Sequence, residues 1–249
     1  MDRVEGGLSE AEKLDAMVTG RFFAYLYETG DKGLKEAAFK ALVRFYDKNM
    51  LDFTVYRSAV FFEREVVGFA RRLLHGGEEV VGTFTYGGTE SIMLAVLAAR
   101  NSFWKRKGRD VVPELVAPFT IHPAFFKAAH YLGLRVRLVD IDERKKANTE
   151  AIKEAIGGNT ALVAVSAPNW PYGTVDPVRD VAEAAADEGV TSMWTHASGG
   201  SSSRFSKSWA STCRPLTSGW RAFPQYLQMC INMAIRLRGP PWCCLETPN

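Results

Sequence analysis

The sequence predicts an α/β fold in which a mainly parallel sheet is covered by helices on both faces. Between residues 76 and 190, short runs rich in β-branched residues alternate with helical stretches. Alternation of this length is typical of parallel strands joined by right-handed crossovers. A glycine pair also separates the first of these strands from a long helix, and the alternation stops near residue 190. These observations predict one α/β domain between a helical start and a different kind of tail.

Each element is predicted from its apolar periodicity and its boundary residues. Two amphipathic helices come first, at 33–49 and 59–74. Further along, Pro123 occupies the first turn of a helix, and Thr149 and Asp176 are the predicted N-caps of two others. The predicted strands are 79–85, 115–119, 134–141 and 160–166, and the predicted helices among them are 89–107, 123–132, 149–156 and 177–187. The resulting domains are an N-terminal helical segment (1–75), a partial α/β domain (76–190) and an aberrant tail (191–249).

The overall composition is that of a globular protein. The chain has 249 residues, of which 47% are hydrophobic and 24% are charged, and this excludes wholesale disorder and collagen. No apolar run approaches the roughly 18 residues that span a bilayer, so no transmembrane segment is expected. The charged start lacks the apolar core of a signal peptide, which predicts a cytoplasmic location.

Charge divides the chain at the same place as the strand–helix pattern. Residues 1–190 contain 27 of the 28 acidic and 25 of the 31 basic residues, so their net charge is −2 and that of the remainder is +5. The basic excess therefore belongs to the tail, and no nucleic-acid partner is predicted. The tail also holds all four cysteines without a paired C-x-x-C spacing, so no metal site is predicted. A tail that binds nucleic acid or a metal remains an alternative interpretation.

The sharpest local motif is TYGGTESIMLAVLAAR. Gly87 and Gly88 allow the backbone to approach a ligand closely, and Thr89 supplies a hydroxyl and a predicted N-cap. Free N–H groups at a helix start attract phosphate. The motif is neither a Walker loop nor a dinucleotide fingerprint. An ordinary glycine turn with a threonine cap explains the same residues, and the residue pattern alone leaves both interpretations open.

Three motifs together resemble one enzyme family. TYGGTESIMLAV, IHPAFFKAAHYLG and NTALVAVSAPNWPYGTVDPV are similar, in this order, to segments of the group II amino acid decarboxylases that depend on pyridoxal phosphate (PLP). The branch containing sphingosine-1-phosphate lyase and archaeal tyrosine/aspartate decarboxylase fits best. The resemblance implies the large domain of fold type I PLP-dependent transferases, PLP as cofactor, a small amine or amino acid substrate, and a homodimer. It also implies a carboxy-lyase or a carbon–carbon lyase reaction.

The resemblance assigns roles to individual residues. Gly87, Gly88 and Thr89 would hold the cofactor phosphate, and His122 would stack on the ring and act catalytically by steering a proton. Ser166 and Asn169 would line the cofactor's edge. Without the resemblance, His122 would be a residue at a helix entry and Ser166 the end of a strand.

The family's Schiff-base lysine and the aspartate that pairs with the ring nitrogen have no match in the tail. Reading the last base of each codon with the first two of the next turns Met193-Trp194-Thr195 into Val-Asp, with His and Ala permitted on either side. The same shift permits Val-His-Lys-Tyr-Gly-Tyr over residues 228–235. The tail is therefore predicted to be out-of-frame family sequence without regular strands, so the large domain would be truncated. The chain itself is predicted to be inactive; the alternative is a non-catalytic fragment that binds phosphate or a partner.

Overall fold

The computed structural model describes residues 2–15, 30–73, 77–78 and 80–195, and the backbone alone at 226–230 and 233–237. The chain divides into two compact units, Met1–Lys48 and Asn49–Asn249. In the first unit, the helices are α1 (Asp2–Glu12) and α2 (Lys32–Phe45). The carboxylate of Asp31 begins α2, because it accepts hydrogen bonds from the N–H groups of Gly33 and Leu34, at 2.8 and 3.1 Å.

The second unit contains the predicted alternation of strands and helices. Between residues 80 and 187, every predicted boundary lies within two residues of the observed one. The elements are α3 (Arg57–Leu73), β1 (Val80–Phe84), α4 (Gly88–Lys107), β2 (Glu114–Pro118), α5 (Ala124–Leu132), β3 (Arg135–Val139), α6 (Thr149–Ala155), β4 (Thr160–Ser166), α7 (Val178–Asp187), β5 (Thr191–Thr195), β6 (Tyr226–Cys230) and β7 (Met233–Leu237).

The strands form one seven-stranded sheet in the order β1-β7-β6-β5-β4-β2-β3. Strand β7 is antiparallel to both of its neighbours, β1 and β6, and the other pairs are parallel. Because two reversals cancel, β1 runs in the same direction as β2, β4, β5 and β6. The carboxyl ends of these strands therefore lie at one edge of the sheet.

Helices cover both faces of the sheet, as predicted. Apolar residues of α4 and α5 pack on one face, against Leu162 and Met193 among others. Residues of α6 and α7 pack on the other face, against Val163 and Trp194 among others. The alternation of side chains along each strand assigns neighbouring residues to opposite faces, so every residue of β4 is buried.

The tail contains more regular structure than the sequence predicts. Strand β5 lies at its start, and β6 and β7 extend the sheet as far as β1. This corrects the expectation of a tail without strands. The physical reason is that main-chain groups form the hydrogen bonds between strands, so pairing requires no family-specific side chains. The rest of the predicted tail lies outside the described residues, and the domain boundaries at 75 and 190 stay predictions.

The predicted N-caps of α6 and α7 are both wrong. Asn148, not Thr149, caps α6, and its side chain accepts a hydrogen bond from the N–H of Ala151 at 3.1 Å. Helix α7 begins after Pro177, and Asp176 bonds elsewhere. Its carboxylate accepts from the N–H of Ala147 at 2.9 Å and from that of Ser166 at 2.8 Å. Asp176 therefore does not cap a helix. It connects the loop before α6 with the last residue of β4.

Among the helices of the described ranges, none combines the length and the apolar character that crossing a bilayer requires.

Candidate functional site

The predicted site residues lie along the edge formed by the carboxyl ends of the parallel strands. The Gly87-Gly88-Thr89 turn follows β1, His122 follows β2, and Ser166 is the last residue of β4. Loops beyond the carboxyl ends of strands are where open α/β sheets bind ligands. The fold therefore brings residues that are far apart in the sequence to the same edge.

The glycine turn presents the start of α4 at this edge. Gly87 is the N-cap and has an extended backbone, and the helix begins at Gly88. Thr89 is therefore not the N-cap that the sequence predicts; it lies in the first turn, with an exposed side chain. The N–H groups of Gly88 and Thr89 have no acceptor within the helix. An anion at this position would accept hydrogen bonds from these N–H groups.

Two buried hydroxyls hold the turn in shape. The side-chain oxygens of Thr85 and Ser91 lie 2.6 Å apart, and the Thr85 hydroxyl donates to the carbonyl of Gly87 at 3.2 Å. The N–H of Ser91 donates to the same carbonyl at 3.1 Å. Neither residue belongs to the motif residues predicted to form the site. The signal available was a serine at the start of an otherwise apolar helical run, where a buried hydroxyl needs a partner.

The space beside Gly88 is open. A Cβ atom built on this residue would meet no other atom within 4 Å, so glycine is not required here by packing within the chain. Glu90, in the same turn, accepts a hydrogen bond from the N–H of Tyr86 at 2.7 Å. Its carboxylate adds a negative charge to a turn whose N–H groups attract anions. The turn thus combines an open cradle for an anion with one opposing charge.

His122 is half-buried between β2 and α5. The N–H of Ala124 donates to its Nδ1 atom at 3.1 Å, which leaves the proton of a neutral ring on Nε2. Burial lowers the pKa of His122, because the charged imidazolium loses its hydration. Near neutral pH the residue is therefore an uncharged ring that carries its proton on Nε2, and such a ring is suited to stack on a planar group.

Ser166 stands opposite Thr195 in the register of β4 and β5. Its N–H is bound by Asp176, whose burial raises the pKa of that carboxyl although the N–H groups of Ser166 and Ala147 oppose the effect. Ser166 is 3% exposed. The position of its backbone is therefore fixed by the carboxylate of Asp176, which lies in the loop before α7.

Asn169 lies in the loop after β4, and its side-chain amide binds other parts of the edge. Its Nδ2 atom donates to the carbonyl of Lys145 at 3.0 Å and to the hydroxyl of Thr174 at 2.7 Å. Its Oδ1 atom accepts from the N–H of Tyr172 at 3.1 Å. The amide thus stabilises the loop, and the predicted role of Asn169 at a cofactor's edge stays a prediction.

The comparisons with known proteins agree with the family that the motifs indicate. The family model for aminotransferase class-V matches residues 70–202, which is more than half of the chain. Sphingosine-1-phosphate lyase of Dictyostelium discoideum is 38% identical over 179 residues, covering 72% of this chain and 32% of that protein. A probable L-tyrosine/L-aspartate decarboxylase of Methanothermobacter thermautotrophicus is 32% identical over 146 residues, covering 59% of this chain and 39% of that protein.

A solved structure gives the same fold. Sphingosine-1-phosphate lyase of Burkholderia pseudomallei superposes with a TM-score of 0.70 at 24% identity, over 94% of this chain and 56% of that one. This confirms the predicted PLP-dependent fold of type I. The chain spans about a third of the length of the two curated relatives above.

The matched motifs, the order of the strands and these relatives lead to one conclusion. The chain belongs to the aminotransferase class-V family, with sphingosine-1-phosphate lyases and a tyrosine/aspartate decarboxylase among its relatives.

Proposed function

We propose that this chain binds pyridoxal phosphate at the carboxyl edge of its sheet and comes from a PLP-dependent lyase lineage. We also propose that a chain with this sequence has no lyase activity. The observation that supports binding most directly is the start of α4 immediately after an open glycine turn at that edge. The relatives indicate PLP as the cofactor of the family. Because the chain spans only part of them, the reaction and its substrate belong to the proposal.

The described residues fit the two ends of such a cofactor. The N–H groups of the first turn of α4 and the exposed hydroxyl of Thr89 would bind the phosphate, and the space beside Gly88 would admit it. The neutral ring of His122 would stack on the pyridine, where a charged ring would not suit an electron-poor partner. Ser166 would line the edge. Bound PLP supplies an electron sink for the bond that is cleaved.

The chain does not fit the covalent attachment of the cofactor. The sequence contains only Lys207 beyond Lys153, and Lys207 lies outside the described residues. Its surroundings, RFSKSWA, do not match the lysine motif of the family. The carboxyl end of β5 carries Thr195 where a ring-pairing aspartate is expected. We therefore propose binding without a Schiff base, and derive no step of catalysis for this chain.

In the lineage we propose a decarboxylation or a carbon–carbon cleavage of a small amine or amino acid. The substrate would be a phosphorylated long-chain base or an amino acid, as in the two kinds of relatives. The homodimer and the cytoplasmic location stay predictions, as does the out-of-frame tail. Determining the nucleotide sequence around codon 190 tests the prediction of an out-of-frame tail directly. Stop codons throughout the shifted reading frame would overturn that prediction.

The experiment for binding is a titration of the purified chain with PLP, followed by its absorbance and by quenching of protein fluorescence. The G88A variant is expected to weaken binding about tenfold or more, which corresponds to about 1.4 kcal/mol, because its methyl group occupies the phosphate space. Its thermal stability should not fall, since alanine is the better helix former. G157A, at a position that is also open but at the opposite end of the sheet, is the matched control.

Borohydride treatment tests the second half of the proposal. A non-covalent complex releases PLP on denaturation after treatment, whereas a Schiff base leaves a permanent adduct detectable by mass spectrometry. A stoichiometric adduct at one lysine, with turnover of an amine substrate, would contradict the proposed inactivity. An absence of any saturable PLP binding would contradict the proposed function as a whole.

A further inference from the structure

Helix α3 places a carboxylate in the stripe of side chains that faces β1. Buried and half-buried residues recur along this helix at helical spacing, among them Val60, Glu63, Val67 and Ala70. Ala70 belongs to the same apolar cluster as Val80, the first residue of β1. Such a stripe normally contains apolar side chains, and a half-buried carboxylate within it needs hydrogen-bond donors. The position of Glu63 therefore calls for partners on β1.

Glu63 binds the last two residues of β1. Its Oε1 atom accepts a hydrogen bond from the hydroxyl of Thr83 at 2.8 Å and another from the N–H of Phe84 at 3.0 Å. Strand β1 is the first strand in the order of the sheet, and an edge strand presents N–H groups that no neighbouring strand accepts. Glu63 accepts one of these groups from 21 residues earlier in the chain. Helix α3 thus holds the point at which β1 ends.

Further hydrogen bonds continue from this point into the glycine turn. The hydroxyl of Thr85 donates to the carbonyl of Gly87, and the N–H of Tyr86 donates to the carboxylate of Glu90. Each of the four residues 83–86 is therefore tied by a hydrogen bond to α3 or to the residues that begin α4. The direction of the N–H groups at the start of α4 depends on this connected segment.

Side-chain packing contributes little to holding the same segment. Phe84 is 52% exposed and Tyr86 is fully exposed, whereas Thr85 between them is buried. Exposed side chains do not fix the position of a backbone by packing. The hydrogen bonds of Glu63 and Glu90 are therefore the contacts that place residues 84 and 86.

We propose that Glu63 is a positioning residue for the glycine turn: its carboxylate holds the end of β1 so that the N–H groups of Gly88 and Thr89 are directed at a bound phosphate. This inference rests on the proposed function and extends it to a helix that does not touch the ligand. Donors that are held in place before binding lose less conformational freedom when the ligand arrives. A carboxylate by itself repels an anion, so Glu63 raises affinity only through the geometry of the turn.

The test compares E63A, E63Q and E65A in the full chain, titrated with PLP and with inorganic phosphate well below the melting temperature. E63A is expected to bind both about fivefold more weakly. E63Q keeps an acceptor oxygen and removes the charge, so it should bind at least as tightly as the native chain. E65A is the matched control, because it removes a charge from an exposed position of the same helix; it should not weaken binding.

Hydrogen exchange measured by nuclear magnetic resonance separates positioning from a local structural role. The N–H of Tyr86 is bound by Glu90 and not by Glu63, so faster exchange at Tyr86 in E63A shows that the turn itself has loosened. A local structural role changes exchange at Phe84 alone. The melting temperature of E63A should fall little, because both hydrogen bonds of Glu63 are exposed and water can replace the acceptor without fixing its position.

Equal affinity of E63A and the native chain would overturn the inference and leave the proposed function intact. Binding by E63Q as weak as that by E63A would also overturn it, because the acceptor would then not be what matters. If the native chain binds neither PLP nor phosphate, the proposed function fails. Exchange at Tyr86 then decides the inference alone: faster exchange in E63A supports the positioning role, and unchanged exchange overturns it.

Discussion

The turn after β1 and the loop after β4 lie at the same edge of the sheet and use their polar groups in opposite ways. In the loop after β4, Asp176 and Asn169 are buried and bind neighbouring loops with their side-chain polar atoms. In the turn after β1, Thr89 is exposed and the N–H groups at the start of α4 lack helical acceptors. The comparison separates groups that stabilise the edge from groups that are available to a ligand.

The largest expected effect is on the β4 loop. Replacing Asp176 by asparagine turns one acceptor oxygen into a donor, so one of the N–H groups of Ala147 and Ser166 loses its partner. We expect a loss of about 2–3 kcal/mol in the free energy of unfolding, measured by urea denaturation. D180N, on the exposed side of α7, is the control and should change stability little. Similar losses in both variants would contradict the special position of Asp176.

The second prediction compares two hydroxyls of the glycine turn. S91A should lower stability by about 1 kcal/mol, because the buried hydroxyl of Thr85 loses its contact with the Ser91 hydroxyl at 2.6 Å and keeps only the carbonyl of Gly87. T89A should leave stability unchanged and weaken PLP binding several-fold, because the Thr89 side chain is exposed at the helix start. Thermal melting and PLP titration of both variants check this. If S91A alters only affinity and T89A only stability, the division of roles in the turn is wrong.

The third prediction concerns pH. Burial raises the pKa of Asp176, so the folded state binds the proton more tightly than the unfolded state does. Its contribution to stability is fully present below the unfolded value of 3.8 and is lost as pH rises through the folded pKa. His122 acts in the opposite direction, because its lowered pKa removes stability as pH falls below 6.5. The free energy of unfolding of the native chain, relative to that of D176N, should therefore rise as pH falls toward 3.8. Denaturation measured across this pH window checks the prediction.

The smallest expected effect is at Glu90. Its carboxylate lies in the turn proposed to bind phosphate and accepts from the N–H of Tyr86. E90Q keeps an acceptor oxygen and removes the charge, so affinity for inorganic phosphate should rise two- to threefold at low salt and less at high salt. Stability should change by less than about 0.5 kcal/mol. Isothermal titration at two ionic strengths checks this, and weaker binding by E90Q would place the anion elsewhere.

Local pattern was sufficient to predict the elements of the second unit. Strand β4 and helix α4 were predicted within one residue, because alternation of periodicity and the glycine and proline boundaries are properties of short segments. The predicted caps at Thr149 and Asp176 were wrong because local pattern alone does not choose between neighbouring residues that can all cap a helix. Several nearby residues can cap a helix, and the choice depends on which side chain has a better partner elsewhere, as Asp176 does with Ala147 and Ser166.

By itself, the sequence determined the α/β class, the glycine turn at the start of α4 and the family, because these depend on residues that are close along the chain. Only the tertiary structure decided that β6 and β7 extend the sheet to β1 and that the carboxylate of Asp176 accepts a hydrogen bond from the N–H of Ala147. Those features depend on pairings between residues far apart in the sequence, which local periodicity does not encode.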